Sequence, residues 1–239
     1  MRVTIGTVRQ QLSALAATIV IAAAVVTFVV TRPPEHSGTP AAAAPMTSET
    51  IVNLGPAGDV PRRSNHDPLT LGSPDAPVTM VVFEDFRCQY CAHFTRVIQP
   101  VLVDRYVDPG VLRIEWRDAP MAGSQSWSAA RAGRAAAEQG RFWPFVQTVM
   151  EAAPQQGRAD LTPESLTTLA QRAGVRDLER FARDTTGSRF DAQIESDLAL
   201  AKSLFIPPVP AFWINGTPLL GGFELQPYVD VIDGVRAQR

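Results

Sequence analysis

Residues 78–98, VTMVVFEDFRCQYCAHFTRVI, place two cysteines where a strand hands over to a helix, and no other stretch of the chain constrains its fold as tightly. Val78, Met80, Val81, Val82 and Phe83 form a short run dense in β-branched and aromatic residues, bounded upstream by Gly72, Pro74 and Pro77, which reads as a buried strand. Beyond the cysteines, Phe94, Val97, Ile98, Val101 and Leu102 recur at three- and four-residue spacing, the period of a helix with one apolar face. Cys88 is therefore expected at or next to the helix N-cap. There the unpaired N–H groups of Gln89, Tyr90 and Cys91 and the positive end of the helix dipole favour a thiolate over a thiol. A lowered pKa makes Cys88 both an attacking nucleophile and a good leaving group, which is the chemistry of thiol–disulfide exchange. Cys91, one turn on, can close a disulfide with it.

These are the only cysteines in 239 residues, so no separate pair is available to staple the fold. A link that short suits switching better than bracing. A four-ligand zinc site needs partners, and the histidines are His36, His66 and His93, two of them ahead of the domain. The least strained metal alternative is a copper carrier using Cys88, Cys91 and His93. The redox group expected is the Cys88–Cys91 disulfide itself, with no other cofactor. A formal net charge of −2, with Lys and Arg scattered, gives no electrostatic case for nucleic acid.

Leu12 to Thr31 is a 20-residue stretch without a charge, which as a helix spans about 30 Å, the thickness of a bilayer core. Arg2 and Arg9 precede it with no acid beside them, so the positive-inside rule puts residues 1–11 in the cytoplasm and everything after Arg32 outside. Residues 12–31 are thus expected to be a transmembrane signal-anchor. The competing reading is a cleaved signal peptide, with Ala41 to Ala44 as peptidase substrate; the apolar segment is longer than the usual h-region. Either way the domain is exported to oxidising conditions. Residues 32–66, with Pro33, Pro34, Pro40, Pro45, Pro56 and Pro61, read as a Pro/Ala-rich tether, from which short apolar fragments such as Ile51-Val52 and Val60 could pack onto the domain.

The ordered domain is expected over 67–239. A short strand near Leu69–Leu71 precedes the dithiol unit, whose helix should kink at Pro100 and continue to about Tyr106. Val111 to Trp116 reads as a third strand, which completes a β–α–β unit around a dithiol. Residues of about 124–204 then read as an all-α insertion of four or five helices, with Thr162 and Asp177 as N-caps. The sheet resumes at Ala211–Ile214, turns at Asn215-Gly216 and returns through Thr217 to Leu220. An amphipathic helix carrying Tyr228, Ile232 and Val235 closes the chain. Asn215-Gly216-Thr217 also spells a glycosylation sequon, but its role as a turn is enough to explain it. Trp116, Trp127, Trp143 and Trp213 are read as core.

Over 67–239 the chain resembles the DsbA-like branch of the thioredoxin superfamily. The likeness rests on Gly72-Ser73-Pro74-Asp75-Ala76-Pro77-Val78-Thr79 leading into Phe83-Glu84-Asp85-Phe86-Arg87-Cys88-Gln89-Tyr90-Cys91. It extends through Glu138-Gln139-Gly140-Arg141-Phe142-Trp143 to Val209-Pro210-Ala211-Phe212 before Ile214-Asn215-Gly216. The resemblance implies an α/β thioredoxin-like fold with the helical insertion, Cys88 as nucleophile, Cys91 as resolving cysteine and Pro210 as a cis proline facing them across the substrate groove. Val209 at the position before that proline leans toward oxidation, where isomerases and many reductases of the family tend to have Thr.

Three departures temper the transfer. The dipeptide Gln89-Tyr90 stands where the family's strongest oxidants have Pro and His, so no imidazolium supports the thiolate; Arg87 is the candidate to compensate. Val82 occupies the place, six before the nucleophile, where the family often has a buried acid, leaving Glu84, Asp85 or water to shuttle the proton to Cys91. Pro207-Pro208 stiffens the rim of the groove. The function implied is an extracytoplasmic protein thiol–disulfide oxidoreductase, an oxidase donating the Cys88–Cys91 disulfide to secreted or cell-envelope proteins and reoxidised by a membrane quinone-linked thiol oxidase. The alternatives are a reductase or isomerase of the same fold, and a tethered, non-enzymatic chaperone or metal-delivery domain.

Overall fold

A computed structural model of the chain describes residues 60–206, 208–220 and 223–237. The expected cytoplasmic segment 1–11, the signal-anchor 12–31, most of the tether and Pro207 lie outside the described residues. Among the described residues no helix is long and apolar enough to cross a membrane.

The architecture is a thioredoxin-like α/β fold with a helical insertion. Five strands, β1 (Thr70–Leu71), β2 (Val78–Glu84), β3 (Leu112–Asp118), β4 (Ala211–Ile214) and β5 (Thr217–Leu220), form one sheet in the order β1-β3-β2-β4-β5. β2 and β3 are parallel, and the other neighbours are antiparallel. Every residue of β2 is buried, Thr79 and Glu84 included, as expected of a central strand covered on both faces. Met80 pairs with Ile114 on one side and Ile214 on the other. The turn between β4 and β5 has positive φ at both Asn215 (44°) and Gly216 (90°), the geometry a two-residue hairpin of this sequence selects. Asn215 also accepts the Thr79 N–H at 2.7 Å and donates to the Pro77 carbonyl at 3.1 Å. Its amide is thus a structural tie between strands rather than a free glycan acceptor.

The dithiol helix departs from expectation in its register. It runs as α1 (Gln89–His93), a π turn (Phe94–Ile98), α2 (Gln99–Leu102) and a second π turn (Val103–Val107). Pro100 does not end it, because the proline's missing N–H falls just where the first wide turn has already shifted the hydrogen-bond ladder. Each π turn adds a residue and rotates the helix beyond it. The buried stripe is therefore Phe94, Ile98, Leu102 and Tyr106, while Val97 and Val101, expected on the apolar face, are 53% and 40% exposed.

Two apolar clusters sandwich the sheet. One joins Val78, Met80, Val82, Leu112 and Ile114 to the dithiol helix and to Tyr228 and Ile232 of the last helix. The other joins Val81, Phe83, Phe86 and Trp116 to the insertion. The insertion consists of α3 (Ser124–Ala137), α4 (Phe142–Ala152), α5 (Pro163–Arg172), α6 (Leu178–Thr186) and α7 (Asp191–Ser203), and α8 (Gln226–Ala237) closes the chain. Thr162 and Asp177 cap α5 and α6 as expected, accepting the N–H groups of Ser165 and Arg180. α3 approaches the loop between β2 and α1 closely at Gly133, where a Cβ would lie 2.9 Å from the Phe86 ring. Of the four tryptophans only Trp116 is fully buried; Trp127, Trp143 and Trp213 are partly exposed, as so large a side chain commonly is.

The packing begins before residue 67, which corrects the expected tether boundary. Val60 is buried in the second cluster, and the Arg62 N–H meets Glu115 at 2.6 Å. The Arg62 guanidinium holds Asp67 at 2.6 Å, the Trp116 carbonyl and Asp197 at 3.3 Å. Asp197 also takes Arg117 at 2.8 Å and Arg134 at 2.7 Å, so one buried carboxylate on α7 gathers the domain entry, β3 and α3. Charge pairing across such sequence separations leaves no local pattern, which is why Pro-rich composition alone implies a longer tether.

Candidate active site

β2 ends at Glu84, and four residues later the chain turns into α1 with Cys88 in extended conformation (φ −83°, ψ 120°) as its N-cap. That backbone places its sulfur over the first turn. The Cys91 N–H donates to Cys88 Sγ at 3.2 Å, and the Cys88 N–H is held by the Asp85 carbonyl at 2.9 Å. Cys88 is half-buried and Cys91 fully buried, and both are free thiols. The Val209–Pro210 peptide bond is cis, and the Cys88 thiol donates to the Val209 carbonyl at 3.2 Å. The structure thus brings Cys88, Cys91, Val209 and Pro210 together from elements more than a hundred residues apart.

The two sulfurs are electrostatically unequal. The Cys91 thiol, followed by the backbone N–H groups of Cys91 and Tyr90, stabilises the Cys88 thiolate and pulls its pKa below the ordinary thiol value, against the opposing effects of burial and the Asp85 charge. Burial pushes the Cys91 thiol well up, and the neighbouring Cys88 and Glu84 add to it. Cys88 is the sulfur that ionises; Cys91 keeps its proton.

Glu84, which its place at a strand end suggests is a surface acid, is 2% exposed, and neither carboxylate oxygen has a hydrogen-bond partner. Burial, then the Cys88 charge, raises its pKa well above that of a free carboxyl. It shares the parity of Val82 along β2, one pleat nearer the dithiol. Asp85 is spoken for: its carboxylate accepts the N–H groups of Arg87 (2.9 Å), Met121 (2.8 Å) and Ala122 (3.0 Å) and pins the loop after β3 against the dithiol.

The Arg87 guanidinium donates to the carbonyls of Ala159 (2.9 Å) and Ala122 (2.8 Å), so it ties the loop after β3 to a loop of the insertion. The dipeptide side chains also face outward. Gln89 accepts the Gly157 N–H at 2.8 Å. Tyr90 is exposed and meets the ring of Phe223 edge-on, with ring centres 5.5 Å apart. His93 also meets that phenyl ring edge-on, with ring centres 5.0 Å apart, and its Nε2 lies 3.2 Å from the Phe223 carbonyl. Phe223, 63% exposed beside the dithiol, is the site residue that sequence reasoning missed; it comes directly after two glycines and belongs to no periodic pattern. Among the described residues no cluster of three or more His, Cys, Asp or Glu side chains could hold a metal.

A thioredoxin family model matches residues 64–230. A probable disulfide bond formation protein D of Bacillus anthracis is 27% identical over 150 residues, 62% of this chain and 69% of that protein. The crystal structure of oxidised BdbD from Bacillus subtilis superimposes with a TM-score of 0.66 at 25% identity, covering 72% of this chain and 94% of that one. A Na(+)/H(+) antiporter, NhaA 3 of Salinispora tropica, is 30% identical over 181 residues, 75% of this chain, but the chain spans only 26% of that antiporter's length.

Proposed function

This chain belongs to the thioredoxin family, in its DsbA-like branch, and its domain is a protein-disulfide oxidoreductase; on that footing we propose that it works outside the cytoplasm as a membrane-anchored oxidase, passing the Cys88–Cys91 disulfide to secreted or cell-envelope proteins. The observation that carries the direction is the inequality of the sulfurs. Groups that stabilise the Cys88 thiolate stabilise the reduced protein, and a protein more stable when reduced is an electron acceptor. The charge-free stretch 12–31 supports the anchor.

In the proposed cycle a substrate thiolate attacks Cys88 Sγ of the disulfide. The Cys88–Cys91 bond breaks, its electron pair goes to Cys91, and a mixed disulfide forms. Cys91 sits in a dry site that disfavours a thiolate, and Glu84, protonated because its own ionisation is disfavoured, supplies the proton. A second substrate thiolate then attacks the substrate sulfur, and Cys88 leaves as the stabilised thiolate. The substrate loses two electrons and the domain gains them; a membrane quinone-linked thiol oxidase would remove them. Phe223, Tyr90 and His93 flank the entry, and the cis Val209–Pro210 backbone offers the polar edge against which an extended substrate would lie.

The reduction potential decides the direction. With Gln89-Tyr90 between the cysteines and no imidazolium there, the pair is expected above the thioredoxin value of about −270 mV and below the DsbA value of about −120 mV. A glutathione-buffer titration that returned a potential at or below the thioredoxin value would overturn the oxidase reading in favour of a reductase.

Glu84 gives a second test. The Glu84→Gln variant is expected to slow release of Cys91 during reduction by a small thiol, by about 10²-fold, with loss of the wild type's pH dependence in rapid-mixing experiments. An unchanged rate and profile would remove Glu84 from the cycle. Stability should carry the same mark. Because the folded pKa is raised, the native state binds more protons than the unfolded chain once pH exceeds the unfolded carboxyl value of about 4.3, so stability falls as pH rises through that window. Urea midpoints of Glu84→Gln should lack that decline.

A further inference from the structure

Cys88 and Cys91 both meet the main chain of one residue to which the cycle above gives no part, Asp85. Its carbonyl accepts the Cys88 N–H at 2.9 Å, and its own N–H is directed at the Cys91 sulfur. The first of these bonds closes a turn that keeps the Cα atoms of residues 85 and 88 within about 7 Å. Asp85 is 2% exposed, and both oxygens of its carboxylate accept: Oδ1 from the Arg87 N–H, Oδ2 from those of Met121 and Ala122. All three donors are peptide groups, and no arginine side chain donates to it among the described residues. Swinging the carboxylate away from the dithiol would leave those N–H groups without their acceptor, so its place is fixed.

Reduction changes the charge beside this fixed anion. When two glutathione thiols reduce the pair, the Cys88–Cys91 bond breaks and two electrons enter. Cys88 becomes a thiolate, Cys91 takes one proton as a thiol, the second proton goes to solvent, and the glutathiones leave joined as a disulfide. Cys88 is neutral in the disulfide and anionic after reduction, so the carboxylate repels one form only. A like charge within a turn of the sulfur, in a largely buried site, opposes the reduced protein. The ionisation of Cys88 shows the same sign: the Asp85 charge pushes its pKa up, against the stronger downward pull of the Cys91 thiol and the backbone N–H groups.

We propose that Asp85 sets the strength of this redox pair: its main chain positions both cysteines, and its carboxylate holds the reduction potential below the value that the helix N-terminus alone would give. This holds whichever way electrons flow, and it rests on one part of the function above, that Cys88 and Cys91 are the redox couple.

Three variants of the full chain separate charge from bracing. Asp85→Asn removes the charge and keeps an oxygen for Met121 and Ala122; Asp85→Ala removes both; Asp85→Glu keeps the charge on a longer stem. Glu84, the other acid facing Cys88, is untouched in all three. In a glutathione buffer, Asp85→Asn and Asp85→Ala are each expected to shift the equilibrium about threefold to tenfold toward the reduced protein, a potential about 15–30 mV higher. Their stabilities should part, with the urea midpoint of Asp85→Ala well below that of Asp85→Asn, because more N–H groups lose their acceptor. Asp85→Glu should lose stability yet stay within about twofold of the wild-type equilibrium. Asp85→Ser, uncharged but still an acceptor, stands in for either neutral variant that does not fold. A role confined to bracing gives another pattern, in which the potential follows the loss of stability. An unchanged or lowered potential in Asp85→Asn, a shift found only in Asp85→Ala, or an equal shift in Asp85→Glu would overturn the proposal. A wild-type potential at the thioredoxin value would overturn the oxidase reading and leave the difference between variant and wild type intact.

Discussion

Replacing Cys91 with alanine is expected to convert the protein from a catalyst into a trap. Cys88 keeps its N-cap position and the backbone N–H groups of positions 90 and 91 that stabilise its thiolate, so it still attacks disulfides. No second sulfur lies within reach to resolve the product, because the chain has no other cysteine. Mixed disulfides on Cys88 should therefore accumulate in the cell envelope, visible as thiol-sensitive, higher-mass species on non-reducing gels. Cys88→Ala, by contrast, should abolish both exchange and trapping, since Cys91 is fully buried and its thiol is held protonated. Adducts on Cys91 in the Cys88→Ala protein, or none on Cys88 in the Cys91→Ala protein, would reverse the assignment of nucleophile and resolving cysteine. Losing the Cys91 thiol also removes the largest stabilising contact of the Cys88 thiolate, so the thiol pKa in Cys91→Ala should rise, measurable by thiolate absorbance.

The largest loss of stability is expected at Asp197. Its carboxylate faces Arg62, Arg117 and Arg134 and also accepts the Asp118 N–H, while only 3% of its side chain is exposed. Alanine there leaves Arg117 and Arg134, about 10% and 11% exposed, without their shared counter-charge. Breaking a buried ion pair from one side costs about 3–5 kcal/mol. Arg134 retains Asp118 at 2.7 Å, which limits its share of the cost. Urea unfolding of Asp197→Ala should show that drop in the midpoint at unchanged slope. A change below about 1 kcal/mol would mean that the arginines find water instead, as surface pairs do. The same variant should loosen residues 60–67, read as faster amide exchange there, because Arg62 loses one of the groups that hold it to the domain.

How far sequence could see depended on the range of each interaction. The strand at 78–84 was legible because β-branched density and turn residues are local, and the insertion helices because Thr162 and Asp177 announce their own starts. The dithiol at a helix N-terminus came from the same local reading. Val97 and Val101 were misplaced because a 3.6-residue period cannot anticipate two π turns. Glu84 looked like a surface acid because its burial is imposed by distant elements packing over the end of β2, and a charged residue at a strand end carries no sign of that. Arg87 poses the same difficulty in reverse: it looks available in sequence, yet its guanidinium is committed to backbone oxygens far along the chain. The juxtaposition of Val209-Pro210 with Cys88 came through family likeness, since nothing within the dipeptide specifies its isomer or its neighbour.

The hydrogen bond from the Gly157 amide to Gln89 has a consequence for how such a protein can change over generations. Residues between paired cysteines are the natural dial for redox strength, because they alter thiolate stability without touching the core. Here one of the two also fastens the loop between α4 and α5. A substitution at position 89 that strengthened the oxidant by adding a positive charge would release that loop at the same moment, and with it the neighbouring Ala159 carbonyl on which Arg87 rests. Potency and the anchoring of that loop are thereby coupled at a single codon. Lineages carrying this architecture should find it easier to tune through Tyr90, whose side chain holds no backbone, than through its neighbour.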